Sequence, residues 1–314
     1  MSEEQDPTVT DTPADTTKRR AGFVALIGAP NAGKSTLLNA LVGSKVSIVT
    51  HKVQTTRALV RGIAVHGDAQ VVFVDTPGIF APRRRLERAM VTTAWGGAAD
   101  ADLVALLIDA RKGISDDNRA ILTQLAEYPD SRPRILILNK IDLVKRDTLL
   151  ALAGEANTLC RFDRTFMISA LTGDGTGDLM DFFAAAMPLG PWLYPEDQMS
   201  DLPLRWLAAE VTREKLMLRL HQELPYHSTV ETETWTEGPK GVRIEQVIFV
   251  ERDNQRRIVL GKGGETIKAI SMAARHDLAA MLERPVHLFL FVKVRENWSD
   301  DPERYRVMGL NFPR

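Results

Sequence analysis

The sequence predicts an α/β fold in which a mostly parallel β-sheet carries helices on both faces, followed by a smaller α+β domain. Short apolar runs alternate with helical stretches from Gly22 to about Pro188, a pattern typical of parallel strands buried on both faces. Prolines at 188, 191, 195 and 203 then interrupt the pattern, because proline cannot continue a helix. Helix and strand signals resume in a different order beyond them, which indicates a second domain.

Length and composition agree with two globular domains. The chain has 314 residues, too many for one ordinary hydrophobic core. Hydrophobic residues make up 44% and charged residues 26%, as in soluble domains and unlike disordered or fibrous chains. We predict a disordered tail over residues 1–20, a first domain over 21–188, a linker over 189–202 and a second domain over 203–314.

Apolar runs rich in β-branched residues predict the strands of the first domain. The parallel candidates are Phe23–Ile27, Val71–Val74, Leu103–Ile108, Ile135–Leu138 and Thr165–Ile168. Another run, Leu59–Val65, precedes Val71–Val74, with Gly67 and Asp68 between them. This spacing predicts a hairpin and therefore one antiparallel strand.

The start of the chain, its charge and its cysteine content restrict the function classes. Residues 1–20 are acidic and lack the basic start and apolar centre of a secretory signal. A net charge of −1 provides no overall basic field, so any nucleic-acid binding has to come from a local patch. The single cysteine, Cys160, fits a reducing compartment. Runs such as Leu103–Ile108 are far shorter than the ~20 residues of a membrane-spanning helix, and we predict none.

A phosphate-binding loop is predicted between the first strand and the first helix. The segment Gly28-Ala29-Pro30-Asn31-Ala32-Gly33-Lys34-Ser35, followed by Thr36, matches G-x-x-x-x-G-K-[ST]. Its glycines let backbone N–H groups surround a phosphate, Lys34 reaches the outer phosphates, and Ser35 ligates Mg²⁺. An ordinary Gly-rich turn would match the same string, but the flanking strand and helix favour phosphate binding.

A second segment is predicted to complete the metal site. Asp75 follows the strand Val71–Val74 and begins Asp75-Thr76-Pro77-Gly78-Ile79, where an acidic Mg²⁺ ligand is expected. The Gly78 N–H would sense the γ-phosphate. A simple turn is the alternative for this tetrapeptide in isolation. A threonine after the first helix should be a further ligand, and we favour Thr56 over Thr55; Lys34, Thr56, Asp75 and Gly78 are the predicted catalytic residues.

Base recognition is predicted at Asn139-Lys140-Ile141-Asp142, which follows the strand Ile135–Leu138. A carboxylate there can accept hydrogen bonds from the ring N–H and the exocyclic amine of guanine, a pair that adenine lacks. Ser169-Ala170, after the last strand, would supply a backbone N–H to the guanine carbonyl. These segments predict GTP or GDP as the ligand, and Asp142 argues against the alternative of a kinase or ATPase.

The second domain is predicted to contain a nucleic-acid-binding loop. Its predicted order is helix Leu204–Glu223, strand Ser228–Thr236, strand Val242–Glu251, a short helix, helix Glu265–Leu282 and strand Val286–Val294. Gly261-Lys262-Gly263-Gly264 lies between the last two helices, where glycines would let a nucleic-acid backbone approach. A local cationic patch surrounds it, comprising Arg256, Arg257, Lys262 and Lys268. Ordinary solvated charges are the alternative, since residues 201–314 balance 18 basic against 17 acidic residues.

The order of these segments resembles known GTPases. The first domain is similar to the translation-factor-related P-loop GTPases, and the second domain resembles a type II KH fold. Further segments carry the resemblance to the Era family of bacterial GTPases: Gln54-Thr55-Thr56-Arg57, Glu214-Lys215-Leu216, Glu223-Leu224-Pro225-Tyr226 and Pro285-Val286-His287-Leu288. The similarity covers everything after the tail. The tail, and Ala32 where many members have valine, depart from the family pattern.

The resemblance implies a function in ribosome assembly. Expected partners are the 3′ end of small-subunit ribosomal RNA and the small ribosomal subunit, whose maturation the protein would assist. A cytoplasmic monomer that does not bind DNA is expected, and some members of the family contact the inner membrane peripherally. In some relatives the asparagine equivalent to Asn31 holds K⁺; for Asn31 itself, a hydrogen bond to its own loop is the alternative.

The segment after Asp75 predicts slow hydrolysis. Gly78-Ile79-Phe80-Ala81-Pro82 is apolar where Ras-like proteins carry a water-orienting glutamine. Two hypotheses therefore stay open. One is a GTP-hydrolysing switch that acts on RNA, and the other is an RNA-binding protein whose nucleotide site binds GTP but barely hydrolyses it.

Overall fold

A computed structural model describes residues 18–128, 132–221, 223–296 and 298–312. The predicted tail therefore lies outside the described residues up to position 17. The first strand begins at Arg20, so regular structure starts within the range that we assigned to the tail.

The structure alternates strands and helices in the first domain and changes order in the second. In the first domain the elements are β1 (Arg20–Ile27), α1 (Lys34–Val42), β2 (Val60–His66), β3 (Ala69–Asp75), α2 (Arg85–Asp100), β4 (Leu103–Asp109), α3 (Asp116–Ala126), β5 (Arg134–Asn139), α4 (Arg146–Leu159), β6 (Arg164–Ile168) and α5 (Thr176–Ala186). In the second they are α6 (Leu204–Arg219), β7 (Ser228–Gly238), β8 (Gly241–Val250), α7 (Asp253–Leu260), α8 (Glu265–Met281), β9 (Val286–Val294) and α9 (Pro302–Val307).

The first domain confirms the predicted sheet. Over the described ranges its strand order is β2-β3-β1-β4-β5-β6, and β2 pairs antiparallel with β3 while the other neighbours are parallel. Successive residues of β4 enter different cores: Leu103, Ala105 and Leu107 pack on one face of the sheet, and Val104 and Leu106 on the other. Because side chains alternate along a strand, burial on both faces explains the unbroken apolar run.

The second domain packs helices on one face of a sheet ordered β7-β8-β9 within the described chain. The β7–β8 pair is antiparallel and the β8–β9 pair is parallel. Helix α8 packs on this sheet through Ile270, Ala274 and Leu278, which are spaced four residues apart and are buried. We placed the end of the first helix of this domain too late: α6 ends at Arg219, and a 3₁₀ turn, Leu224–His227, follows. Pro225 lies in the first turn of that 3₁₀ helix, where proline is tolerated, unlike in a helix interior.

A C-terminal segment that we did not predict docks on the first domain. A 3₁₀ turn at Trp298–Asp300 and helix α9 follow β9. The side chains of Trp298, Tyr305 and Leu310 form one buried cluster with Leu86 and Met90 of α2. The segment therefore ties the end of the second domain to a helix of the first.

Residues 189–202, predicted as a linker, run along the β2–β3 hairpin. Gln70 Oε1 accepts from the backbone N–H groups of Leu193 and Tyr194, at 2.8 and 3.0 Å. Further along, Ile63 N–H donates to the Met199 carbonyl at 2.9 Å. These contacts hold the connection against the first domain.

Among the described helices, none has both the length and the apolar character needed to cross a bilayer.

Candidate nucleotide-binding site

The loop between β1 and α1 surrounds the side chain of Lys34. Lys34 Nζ donates to the carbonyls of Gly28 and Ala29, at 3.0 and 3.2 Å, and the side chain is buried. Burial lowers the pKa of Lys34 to about 8, although the nearby Asp75 carboxylate opposes this shift. A buried cation at the start of a helix is a strong attractor for phosphate oxygens, which would restore the stabilisation lost with its hydration.

Two glycines make this loop possible. Gly28 has φ +148°, and a Cβ atom there would lie 2.4 Å from the Leu107 carbonyl oxygen. Gly33, the residue before α1, has φ +102°, and its Cβ would lie 2.2 Å from Asn139 Nδ2. Both positions combine a backbone conformation that side chains disfavour with a close approach of another segment.

The carboxylate of Asp75, at the end of β3, accepts hydrogen bonds from three hydroxyl groups. Its Oδ2 accepts hydrogen bonds from Ser35 Oγ at 2.6 Å, Ser47 Oγ at 3.0 Å and Thr56 Oγ1 at 3.4 Å. Its Oδ1 is buried and has no hydrogen-bond partner among the described residues. Burial raises the pKa of Asp75, opposed first by the charge of Lys34 and then by the hydroxyls.

This oxygen cluster fits Mg²⁺. Mg²⁺ sites in nucleotide-binding proteins use one or two carboxylates together with hydroxyls, waters and phosphate oxygens. One buried carboxylate with an unsatisfied oxygen, beside the Ser35 and Thr56 hydroxyls, provides that donor set.

Thr56, and not Thr55, lies at this cluster. The Thr56 and Ser35 hydroxyl oxygens are 2.9 Å apart. Thr55 Oγ1 instead contacts Thr50 Oγ1 at 2.6 Å and donates to the Lys52 carbonyl at 2.7 Å. The loop over residues 44–59, called the switch loop below, therefore turns Thr56 inward to the predicted metal site and Thr55 away from it.

The segment after Asp75 packs directly on the phosphate-binding loop. Ile79 N–H donates to the Gly28 carbonyl at 3.1 Å, and a Cβ at Gly78 would meet Pro30 at 2.9 Å. Ile79 is buried in the core with Trp95. The predicted γ-phosphate sensor thus lies beside the loop, and the side chain after it points into the core and has no polar group with which to orient a water.

Asn139 connects the predicted base-recognition segments to the phosphate-binding loop. Its Nδ2 donates to the Ala32 carbonyl at 2.8 Å, and its Oδ1 accepts from the backbone N–H groups of Lys140 and Ala170, at 2.8 and 3.0 Å. Lys140 Nζ donates to the Asn31 carbonyl at 2.7 Å and pairs with Asp109 at 2.7 Å. The phosphate-binding loop, Asn139-Lys140-Ile141-Asp142 and Ser169-Ala170 therefore meet at the carboxyl edge of the sheet, where parallel α/β folds bind ligands.

At this edge Asp142 is exposed, whereas the backbone N–H groups of Ser169 and Ala170 already donate to other residues of the protein. Asp142 lies exposed on the 3₁₀ turn Ile141–Leu143, so its carboxylate is open to a ligand. The backbone N–H groups proposed for the guanine carbonyl already have protein acceptors: Ser169 N–H donates to the Asp174 carbonyl at 2.9 Å, and Ala170 N–H to Asn139 Oδ1. A bond from Ala170 to guanine would have to be shared with Asn139.

Our sequence reasoning missed Ser47 and Asp109. Ser47 is buried and donates to Asp75, and no local motif marks it. Asp109 ends β4 at the same edge as Asp75 and Asn139, and it is buried against Lys140. Its position after a predicted parallel strand was the signal that could have found it.

Asn31 joins the phosphate-binding loop to the switch loop. The residue has φ +64°, and its Nδ2 donates to the His51 carbonyl at 2.8 Å. The Asn31 amide nitrogen therefore bonds to the switch loop and not, as in the alternative interpretation, to its own loop.

The predicted nucleic-acid loop is a glycine turn between α7 and α8. Gly261, Gly263 and Gly264 have φ angles of +73°, +61° and +80°, and Lys262 and Lys268 are exposed. Arg256 and Arg257 are exposed and pair with Asp253 of the same helix, at 3.6 and 3.1 Å. The turn thus offers exposed backbone beside the N-terminus of α8, flanked by cations.

The whole chain is similar to curated bacterial proteins. A family model described as 50S ribosome-binding GTPase matches residues 23–140, and a KH domain model matches residues 223–299. The chain is 67% identical to GTPase Era of Rhizobium meliloti, with 100% of each chain covered. It is 68% identical to GTPase Era of Sinorhizobium medicae, over 97% of this chain and 98% of the relative. The chain belongs to the Era family.

Solved structures of the Era family agree with the fold of both domains. A variant of Aquifex aeolicus Era bound to GDP and AlF4⁻ has a TM-score of 0.87 and 38% identity, covering 92% of this chain and 99% of the relative. A structure of Era with MgGDPNP and nucleotides 1506–1542 of 16S ribosomal RNA also has a TM-score of 0.87 and 38% identity, covering 93% and 99%. This member of the Era family is accordingly a GTPase with a C-terminal KH domain.

Proposed function

We propose that this chain is a GTP-hydrolysing switch that binds small-subunit ribosomal RNA near its 3′ end and assists maturation of the small ribosomal subunit. The observation that carries the proposal is the structural similarity over both domains to an Era bound at once to MgGDPNP and to nucleotides 1506–1542 of 16S ribosomal RNA. The proposed place of action is the cytoplasm, where bacterial small subunits are assembled.

In the proposed nucleotide complex each residue has a defined role. Lys34 and the backbone of residues 28–36 hold the phosphates, and Asp142 accepts two hydrogen bonds from guanine. Ser35, Thr56 and Asp75 hold Mg²⁺, which supplies charge neutralisation of the phosphate oxygens when it is bound. Thr56 and the Gly78 N–H respond to the γ-phosphate, so GTP and GDP favour different arrangements of the switch loop.

Potassium is part of the proposal. The Asn31 carboxamide lies between the phosphate-binding loop and the switch loop, held by its bond to His51. Its oxygen would face a monovalent cation bound beside the phosphates. Replacing K⁺ by Na⁺ at constant ionic strength should then slow GTP hydrolysis, and an Asn31→Ala variant should be insensitive to the exchange.

The RNA part of the proposal is tested by reversing one charge in the glycine turn. Lys262 is exposed and contributes no buried packing, so Lys262→Asp should leave the fold and the GDP affinity unchanged. Because phosphate contacts dominate nucleic-acid affinity, the affinity for an RNA oligonucleotide of 16S nucleotides 1506–1542 should fall about tenfold or more.

Lys240 provides the matched control. It is also exposed but lies in the β7–β8 turn, which contacts Arg284 beyond the C-terminal end of α8, whereas Lys262 lies before the N-terminus of that helix. Lys240→Asp makes the same charge change in the same domain and should leave RNA affinity within about twofold of the unmodified protein. Equal losses in both variants, or none in Lys262→Asp, would contradict binding at the glycine turn.

The competing hypothesis is an RNA-binding protein that hydrolyses GTP too slowly to act as a switch. The buried side chain of Ile79 favours a slow intrinsic rate, because no polar group follows Gly78 to orient water. Phosphate release in single turnover, with and without the RNA oligonucleotide, separates the two. Acceleration by RNA supports the switch, and an unchanged, near-background rate supports the alternative.

A further inference from the structure

Helix α6 of the second domain lies directly against the switch loop of the first. The guanidinium of Arg213 is buried, with the side chain 1% exposed, and its Nη2 donates to the Thr55 carbonyl. The residue after Arg213 is Glu214, and its Oε1 accepts a hydrogen bond from the Val49 N–H at 2.9 Å. Two consecutive residues of one helix therefore fix the backbone of the switch loop at two points.

These two side chains are themselves held in place. Arg213 also pairs with Glu210, one turn earlier on α6. Glu214 pairs with Lys45 at 2.7 Å and with Lys215 at 2.8 Å. Burial alone would raise the pKa of Glu214, but hydrogen bonds from Lys215, Lys45 and the Val49 N–H outweigh it and lower the pKa. The carboxylate is thus charged and oriented when it accepts the Val49 N–H.

The residue after Thr56 is held by the second domain as well. Arg57 is 3% exposed, and its Nη1 donates to the Ser228 carbonyl at 2.9 Å. Thr55 and Arg57 therefore both contact the second domain, and Thr56 lies between them. With both neighbours fixed, the Thr56 side chain is directed at Ser35 and Asp75.

We propose that Arg213 and Glu214 are positioning residues for GTP hydrolysis: they act through the switch loop to hold Thr56 at the metal and γ-phosphate site. The second domain would then supply the groups that pre-organise the switch loop of the GTPase domain. Pre-organisation matters because a loop that must be ordered on each binding event lowers affinity and rate. The inference rests on the GTPase activity and does not depend on RNA binding.

The test uses the full-length protein with Arg213→Ala. Thr56 is expected to contact the γ-phosphate and Mg²⁺ but not GDP alone. The variant should therefore weaken Mg²⁺-GDPNP binding and lower kcat for GTP, each by about tenfold or more, the effect expected from losing a charge-assisted hydrogen bond. GDP affinity should stay within about twofold, and the Mg²⁺ concentration for half-maximal hydrolysis should rise.

Matched variants separate positioning from stability. Arg219→Ala removes an exposed arginine from the last turn of the same helix and should change none of these values. Arg213→Lys can reach one acceptor but not both Thr55 and Glu210, so it should be intermediate. Thr56→Ala, which removes the hydroxyl itself, should give the largest loss of GDPNP affinity and of kcat. If Thr56→Ala itself leaves hydrolysis unchanged, then the role assigned to Thr56 is wrong, and the proposal falls with it.

Glu214 gives a second, independent variant should Arg213→Ala fail to fold. Glu214→Ala should produce the same change in the ratio of GDPNP to GDP affinity. Glu214→Gln should recover part of it, because the amide oxygen still accepts the Val49 N–H. Equal weakening of GDP and GDPNP in the folded Ala variants, or unchanged kcat in both, would overturn the proposal, since either result shows a role that is only structural.

Discussion

A single methyl group at Gly33 should disable the nucleotide site, while the same change at Gly43 should be tolerated. The two glycines flank α1, at its start and its end, and both have positive φ angles, +102° and +75°. They differ in their surroundings. A Cβ at Gly33 would lie 2.2 Å from Asn139 Nδ2, whereas a Cβ at Gly43 would meet no described residue within 4 Å apart from its neighbours in the chain.

The expected magnitudes follow from that difference. Alanine in a left-handed conformation costs about 1–2 kcal/mol at either position. At Gly33 the Asn139 side chain must also move and lose its bond to the Ala32 carbonyl, which leaves a buried polar group unsatisfied at a further ~1–3 kcal/mol. The total for Gly33→Ala is therefore about 2–5 kcal/mol. Because the free variant relieves this strain by displacing the binding loop, GDP binding has to restore the loop at that cost, and we expect GDP affinity to fall by about 30-fold or more.

The assay is titration of a fluorescent GDP analogue, with urea denaturation of both variants. Gly43→Ala should lose about 1–2 kcal/mol of unfolding free energy and retain nearly normal GDP affinity. Equal GDP affinities for the two variants would refute the reasoning, because both carry the same backbone strain and the clash with Asn139 arises at Gly33 but not at Gly43.

Three further predictions concern base recognition, stability and pH. Asp142→Asn should weaken GTP by about a hundredfold or more and shift preference to xanthosine triphosphate, measured by competition binding; unchanged GTP affinity would show that Asp142 does not contact the base. Trp298→Ala should lower the free energy of unfolding by about 3–5 kcal/mol in urea denaturation, because Trp298 is 1% exposed and its Nε1 donates to the His227 carbonyl at 3.0 Å; a loss below about 1 kcal/mol would show that the C-terminal segment is not firmly docked. The pKa of Glu214 is lowered below its usual value of 4.5, so the stability that it contributes is present above about pH 4.5 and is lost as pH falls through the lowered pKa. The difference in unfolding free energy between the unmodified protein and Glu214→Gln should therefore shrink from pH 7 to pH 3, and a constant difference would contradict the ionic role.

Much of the first domain was predictable because its information is local. The run Leu103–Ile108 lies within the observed β4, since a strand buried on both faces has to be apolar throughout. The phosphate-binding loop was predictable for a similar reason: glycines at 28 and 33, a lysine and a serine are required at fixed spacing by the geometry of one turn. The antiparallel β2 followed from the short Gly67-Asp68 connection to β3.

Contacts between distant segments could not be predicted in this way. Thr55 and Thr56 are chemically identical neighbours, and only the path of the switch loop turns Thr56 to Asp75 and Thr55 to Thr50. The docking of Trp298 on α2 depends on a surface built from residues about 200 positions earlier in the chain, and a short aromatic-containing segment carries no signal for its partner.

Local residue patterns thus predicted most of the element order, the phosphate-binding loop and a guanine-recognition segment, because each depends on residues adjacent in the chain. The tertiary structure alone decided which threonine reaches the predicted metal site, how Asn139 joins three segments, and that Arg213 and Glu214 hold the switch loop. Such contacts depend on where packing brings two surfaces together, and packing is a property of the whole folded chain.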